Sequence, residues 1–241
     1  MDYDNQAVFQ ARKSQAGEYE RMLRKIARNI GDLTKTMDAD AVIYNPEPLQ
    51  DALSKYAEAI EPWANVVSGR MLKSANRINS RQWKSYAQVI GRELAHEIAN
   101  TDTGAAIRDL QQYQVLLIKS LPIEAAQRVQ RIATEALSNG NRYDALRQEI
   151  LRTSEVTESR ATLIARTESS RCAATLTQVR AQMNGSSGYT WRAHRDKRTR
   201  RSHREMNGRF VAWDEPPTLD NLTGHAGCVP NCRCFTMPVF D

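Results

Sequence analysis

From about residue 5 to residue 183, apolar positions recur three and four apart, the spacing that gathers side chains on one face of a helix. Tyr19, Met22, Leu23, Ile26 and Ile30 form the first stripe, and Gly31 follows as a stop. Pro46 and Pro48 break the chain before Leu49, Ala52, Leu53, Tyr56 and Ile60, and Pro62 opens or kinks what comes next. Trp63, Val66, Val67 and Met71 make a third stripe. Trp83, Tyr86, Ala87, Ile90, Leu94 and Ile98 make a fourth, with Asn79 and Ser80 ahead of it as caps and "ANTDTG" as its end. Ile107, Leu110, Tyr113 and Leu117 precede "SLPIE", where Pro122 restarts the chain near a helix N-terminus. Ile123, Ala126, Val129, Ile132, Ala133 and Leu137 then run to a cap at Gly140.

A short helix ending near Arg152 leads into "TSEVTESRATLIARTESSRCAATLTQVRAQM", whose start is rich in caps and acids. Its apolar face carries Ala161, Ile164, Ala165, Glu168, Cys172, Leu176, Val179 and Met183. A carboxylate at Glu168 needs partners among packed groups, and an arginine from Arg166 or from the basic segment further on is expected to hold it. Cys172 reads as a small core residue.

At "NGSSG", residues 184–188, the pattern changes. "YTWRAH" reads as a strand, Asn207-Gly208 as a tight turn before the strand "RFVAW", and "CFTMPVF" as a third strand that Pro238 confines to an edge. The expected fold class is therefore α+β: a predominantly α-helical N-terminal region and a small C-terminal α+β module, residues 185–241, containing a short antiparallel sheet. A module of that size with few apolar residues must dock on the helices, bind a metal, or both.

Composition narrows the partners. With 41% hydrophobic and 26% charged residues, and apolar runs no longer than "VLLI" at 115–118, no membrane segment is expected. The N-terminal residues lack the basic and apolar regions of a secretion signal, so folding in a cytoplasm is expected. The net charge of +6 is concentrated. Arg195, Lys197, Arg198, Arg200, Arg201 and Arg204 form one dense run, a candidate contact for DNA phosphates or an acidic protein surface.

Candidate chemistry clusters in "GHAGCVPNCRCF", residues 224–235. Cys228, Cys232 and Cys234 with His203 or His225 offer thiolate and imidazole donors that suit zinc, with His194 a further donor. Reduced cysteines packing a turn, and a disulfide, stay open beside that reading. His194, Asp196 and His203 beside the basic run allow a metal-dependent nuclease, although no ordered set of acidic ligands accompanies them. Neither GxSxG nor an acid partner supports a serine or cysteine hydrolase around Ser202 or Cys232.

Three pieces of the chain, in this order and spacing, resemble the phage Mu F-like head-morphogenesis, or minor head, protein family. They are "RATLIARTESSR" at 160–171, Trp191-x4-Asp196-x-Arg198-x-Arg200-x-Ser202-His203-x4-Gly208, and "NCRC" at 231–234. The family positions so matched are Arg166, Thr167, Glu168, Trp191, Asp196, Arg198, Arg200, His203, Gly208, Asn231, Cys232, Arg233 and Cys234. The resemblance covers residues 105–240 and divides the chain into a helical region at 1–104, a helical part of the family region at 105–184, and the basic module at 185–241. It implies a noncatalytic virion protein, assembled in the host cytoplasm, that binds the phage portal near its vertex. It further implies a part in procapsid assembly, with DNA packaging or ejection in some members, and related domains fused to toxins. The implied partners are the portal, the major capsid or scaffold protein, and double-stranded DNA without sequence preference. The alternative is a metal-dependent nuclease or a nonspecific DNA-binding protein acting during packaging. No cofactor is required beyond the candidate structural zinc.

Overall fold

The computed structural model describes residues 9–90, 101–138, 143–194 and 196–240. Leu94, Ile98, Gly140 and Arg195, and the side chains of Ile90 and Leu137, lie outside the described residues. The chain is α+β, with eight helices and five short strands among those residues. The helices are α1 (Lys13–Lys35), α2 (Ala39–Tyr44), α3 (Glu47–Ala59), α4 (Glu61–Ile90), α5 (Thr101–Ser138), α6 (Tyr143–Leu151), α7 (Thr153–Met183) and α8 (Arg201–Glu205). The strands are β1 (Gly188–Arg192), β2 (Phe210–Ala212), β3 (Thr218–Leu219), β4 (Leu222–Thr223) and β5 (Phe235–Val239).

The chain divides into two compact units, one of residues 17–69 and 112–165, the other of residues 1–16, 70–111 and 166–241. The first unit is helical: Leu23, Ile30, Leu49 and Leu53, from stripes legible in the sequence, are fully buried, and so are Ile118 and Leu121, which lay on no expected stripe, whereas the expected Tyr113 and Ile123 are exposed. Asp38 caps α2 by accepting from the amides of Asp40 and Ala41 at 3.0 Å, satisfying donors the first turn cannot. Two sequence expectations fail in this unit. Gly31 does not stop α1, which runs on to Lys35; a β-carbon there would lie 2.3 Å from Ser154 Oγ, so glycine serves close approach and not termination. Nor does Pro122 restart the chain, because α5 passes through it. The missing amide and the ring clash cost a helix about 3 kcal/mol. Full burial of Ile118 and Leu121 on the same helix offsets that.

The second unit joins α7's later turns and the later part of α4 to the sheet. Asn79 and Ser80, expected as caps, lie inside α4, which is one continuous helix. Asn79 is fully buried, donating to Thr177 Oγ1 at 2.8 Å and accepting from Arg180 at 2.5 Å, so a cap-forming residue type serves here as a core hydrogen-bond partner. The sheet has the order β2-β1-β5, all antiparallel, with Tyr189 opposite Val211 on one side and Pro238 on the other. Pro238 thus sits on an edge, where a missing amide costs no ladder bond. β3 and β4 form a separate hairpin through Asp220 and Asn221, both at positive φ. Neither this hairpin nor α8 was legible as an element in the sequence.

Val179 and Met183, placed on α7's apolar stripe by periodicity, are half-buried and exposed. The core of this unit is aromatic: Trp191 and Tyr189 are fully buried, with Trp213, Trp83, Tyr86 and Phe9 around them. Phe9 meets Trp83 and Tyr86 with ring centroids 5.7 and 5.4 Å apart, and Phe240 lies 6.1 Å from Trp83. The Tyr86 hydroxyl donates to the Pro238 carbonyl at 2.7 Å, fixing β5 to α4. The small C-terminal module does not have to supply a core alone.

Candidate functional site

Helix α7 presents Thr167 and Glu168 buried and Arg166 exposed. Against the stretch that follows lies the loop at residues 227–234. Gly227 adopts φ +87°, and a β-carbon on it would meet the Cys234 carbonyl at 3.1 Å and Ala174 Cβ and the Ser170 carbonyl at 3.4 Å. Only glycine combines that conformation with that approach. Arg171 Nη2 donates to the Cys228 carbonyl at 3.0 Å, and the amide of Asn231, at φ +57°, donates to Thr167 Oγ1 at 3.2 Å. The Arg166-Thr167-Glu168 string therefore meets the Asn231-Cys232-Arg233-Cys234 string directly.

The third string reaches the same place from β1. After Trp191 the chain turns through residues 196–199, where Asp196 Oδ1 accepts from the Arg198 amide at 3.0 Å and Thr199 Oγ1 at 3.1 Å. Arg233 grips both oxygens of Asp196, with Nη2 at 2.6 Å and Nη1 on the other. The Arg233 hydrogen bonds hold the Asp196 carboxyl well below the usual carboxylate range, against the opposing effect of desolvation. Arg200 Nη2 donates to the Pro230 carbonyl at 3.0 Å. Gly208, at φ +84°, sends its amide to the Trp191 carbonyl at 2.8 Å and leads the chain into β2.

Between these braces lies a buried cluster. Helix α8 carries His203, 3% exposed, and its Nδ1 faces Cys232 Sγ at 3.4 Å and Cys234 Sγ at 3.6 Å. Trp191 and the imidazole meet edge to face with centroids 5.4 Å apart, and Nε2 is buried without a hydrogen-bond partner. The amide of Gly227 donates to Cys232 Sγ at 3.3 Å. Hydrogen bonding from Cys234, with His203 and the Gly227 amide adding to it against the effect of burial, holds the Cys232 thiol below the ordinary range, while Cys234 is raised in turn. Among the described residues, His203, Cys232 and Cys234 form the one group of three or more such donors close enough to share an ion, their ligand atoms all within 4.8 Å of one another.

Cys228 and His225 stand outside that group. His225 Nε2 contacts the Trp213 carbonyl at 3.1 Å and its Nδ1 the Tyr189 hydroxyl at 3.2 Å, while that hydroxyl accepts from the Ala226 amide. Burial lowers the His225 pKa and keeps the ring neutral. The consistent arrangement has Nε2–H donating to the carbonyl and Nδ1 accepting from Tyr189. Burial pushes the Cys228 thiol up to about 12. None of the four cysteines is in a disulfide.

Glu168 is 2% exposed and pairs with Arg171, at 3.6 Å, one turn along the same helix; no ion pair joins it to the basic segment among the described residues. Burial raises its pKa and Arg171 lowers it only in part. Lys197, Arg198, Arg201 and Arg204 are exposed, with Arg201 paired to Glu205 at 2.8 Å; Arg200 is half-buried. His194 Nε2 lies 3.7 Å from Asp196, but His203 is turned to the two thiols. Sequence reasoning missed Arg171, Gly227 and Tyr189. Arg171 holds the loop through the Cys228 carbonyl and Gly227 acts through its own amide and its close approach, neither of which sequence spacing shows, and Tyr189 was legible only as an apolar strand position.

Residues 127–237 match the family described as Phage Mu protein F like protein. An uncharacterized protein of Haemophilus influenzae is 37% identical over 127 residues, 53% of this chain and 28% of that protein. A protein of Enterococcus faecalis named NAD(+)–arginine ADP-ribosyltransferase EFV is 33% identical over 132 residues, 49% of this chain and 26% of its own length. The chain thus spans between a quarter and a third of each of these two relatives. Minor head protein GP7 of Bacillus phage SPP1 is 25% identical over 247 aligned positions, 92% of this chain and 76% of that protein. No solved structure matches. All three sequence strings that converge on the His203 cluster fall inside the matched segment, residues 127–237, over which this chain is similar to the Phage Mu protein F like family.

Proposed function

We propose that this protein is a minor head protein: a structural component of a phage head that binds the portal and takes part in procapsid assembly. The observation that carries the reading is the alignment with Minor head protein GP7 of Bacillus phage SPP1, which takes in 92% of this chain and 76% of that protein, together with the family match. A site near the portal vertex, assembly in a host cytoplasm, and contact with major capsid or scaffold protein belong to the same proposal. The geometry supports a structural part over a catalytic one. Both oxygens of Asp196 are taken by Arg233, and His203 faces thiols, so the polar groups around the turn brace the fold.

The exposed Lys197, Arg198, Arg201 and Arg204 supply the candidate surface for packaged DNA or an acidic portal face. Co-expression with the portal from the same genome, followed by affinity capture, should recover the two together. Failure to recover portal that assembles normally would remove the reading. Incubation with supercoiled plasmid and magnesium, manganese or zinc should leave the plasmid intact, whereas nicking abolished by Asp196→Asn would establish the nuclease alternative. If DNA is contacted, affinity must fall steeply with salt as phosphate counterions are released.

A further inference from the structure

The cluster of His203, Cys232 and Cys234 is explained neither by packing nor by the proposed head role. One ring nitrogen carries either a single proton or a single lone pair, yet His203 Nδ1 faces two sulfurs at nearly equal distances, 3.4 and 3.6 Å. A hydrogen bond satisfies one sulfur fully, or both poorly. A cation among the three atoms satisfies all of them.

Two sides of the triangle fit. Zinc binds thiolate at about 2.3 Å and imidazole at about 2.0–2.1 Å, and in a tetrahedron those bonds place sulfur and nitrogen about 3.5 Å apart. The observed separations bracket that value. The donor set is also selective: two thiolates and an imidazole suit a thiophilic divalent ion and disfavour magnesium or calcium. The surroundings point the same way. The Gly227 amide directed at Cys232 Sγ, on a backbone that excludes a side chain, is the kind of outer contact that steadies a metal-bound thiolate. The C-x-C spacing also turns both sulfurs inward while Arg233 between them reaches out to Asp196.

We infer that Cys232 Sγ, Cys234 Sγ and His203 Nδ1 hold one tetrahedral ion of the zinc class, with neither Cys228 nor His225 a ligand. The fourth corner takes water or an outside donor. The ion fastens α8 to the loop that leads into β5, and so joins the two later family strings, which otherwise meet through Asp196 and Arg233.

The test uses the full chain, purified anaerobically without added chelator. Elemental analysis should find one zinc per chain. After removal, cobalt(II) should bind with one equivalent, giving tetrahedral visible bands and sulfur-to-cobalt charge transfer. Cys232→Ser and Cys234→Ser should each weaken cobalt binding at least about tenfold, while Cys228→Ser and His225→Gln leave stoichiometry and charge-transfer intensity unchanged. Folded wild-type protein that retains no zinc and yields no tetrahedral cobalt spectrum overturns the inference. So does loss of the spectrum on Cys228→Ser, which overturns the ligand set. Where Cys232→Ser does not fold, the wild-type metal content and the Cys228→Ser spectrum still decide. The readout is independent of portal capture, so failure of either proposal leaves the other standing.

Discussion

Replacing Gly31 with alanine sets local preference against packing and makes the structure choose between them. In an exposed helix interior the change from glycine to alanine favours the helix by about 1 kcal/mol. In α1, however, the new methyl would lie 2.3 Å from Ser154 Oγ and 2.6 Å from Ser154 Cβ, where ordinary contact begins at 3.4 Å. A hydroxyl can rotate away, but a β-carbon held 2.6 Å off cannot, so one helix backbone must shift by close to an ångström. Overpacking of that kind costs about 1–3 kcal/mol, and so hard an overlap belongs at the upper end of the range. The expected net loss is about 2 kcal/mol, a fall in Tm of about 4–8 °C for a chain of this length.

The partner substitution Ser154→Gly removes both clashing atoms. Combined with Gly31→Ala, it should recover most of the loss beyond the cost of Ser154→Gly alone. Urea unfolding of the four proteins gives the coupling energy, expected at about 2 kcal/mol. Coupling below about 0.5 kcal/mol, the ordinary additivity error for independent sites, would refute the close approach. A Gly31→Ala protein more stable than the parent would mean that this helix interior has room for a methyl, against the close approach.

Three further outcomes follow from buried or braced ionisable groups. Burial raises the Glu168 pKa, so its charged form burdens the fold as pH rises through that raised value; Glu168→Gln should stabilise at neutral pH by urea unfolding, with the difference closing at about pH 4, and equal stability at neutral pH would contradict it. Burial lowers the His225 pKa, so its contribution is present above the ordinary histidine value of about 6.5 and is lost as pH falls through the folded value. Thermal melts from pH 7 to 5 should therefore show a drop that His225→Gln flattens, and an unchanged slope would remove the Tyr189–His225–Trp213 arrangement as its cause. The Asp196 carboxyl is held low by Arg233, so its stabilisation is present above about pH 4 and declines as pH falls below it. Asp196→Asn should give a shallower acid limb in the same melts, whereas a limb as steep as the parent's would place the sensitive carboxylate elsewhere.

Periodicity served well wherever burial alone decides the residue type, as at Leu23, Ile30, Leu49 and Leu53. It failed where one residue type answers two physical demands. Glycine reads as a helix end, but Gly31 sits mid-helix for want of room; asparagine reads as a cap, but Asn79 is a buried partner of Thr177 and Arg180. Proline reads as a break, but Pro122 is carried by the burial of its neighbours on α5. At the candidate site the residue types were legible and their grouping was not. Cys228 lies as close in sequence to Cys232 as a common ligand pair, yet Gly227's left-handed turn leaves it outside the group that His203 and Cys234 complete. That selection depends on backbone direction in one loop, which spacing alone cannot supply.

The bond from Tyr86 to Pro238 spans 152 positions of sequence, and the aromatic cluster built on Phe9, Trp83 and Phe240 closes over the same interval. At about 5–20 residues per second, a ribosome needs on the order of 10–30 s to make that stretch. Through that time Trp83 and Tyr86 have been translated but the strand that covers them has not. Until β5 is released, a nascent chain carries an uncovered aromatic face, and its exposure to chaperones or to neighbouring chains is set by the speed of translation.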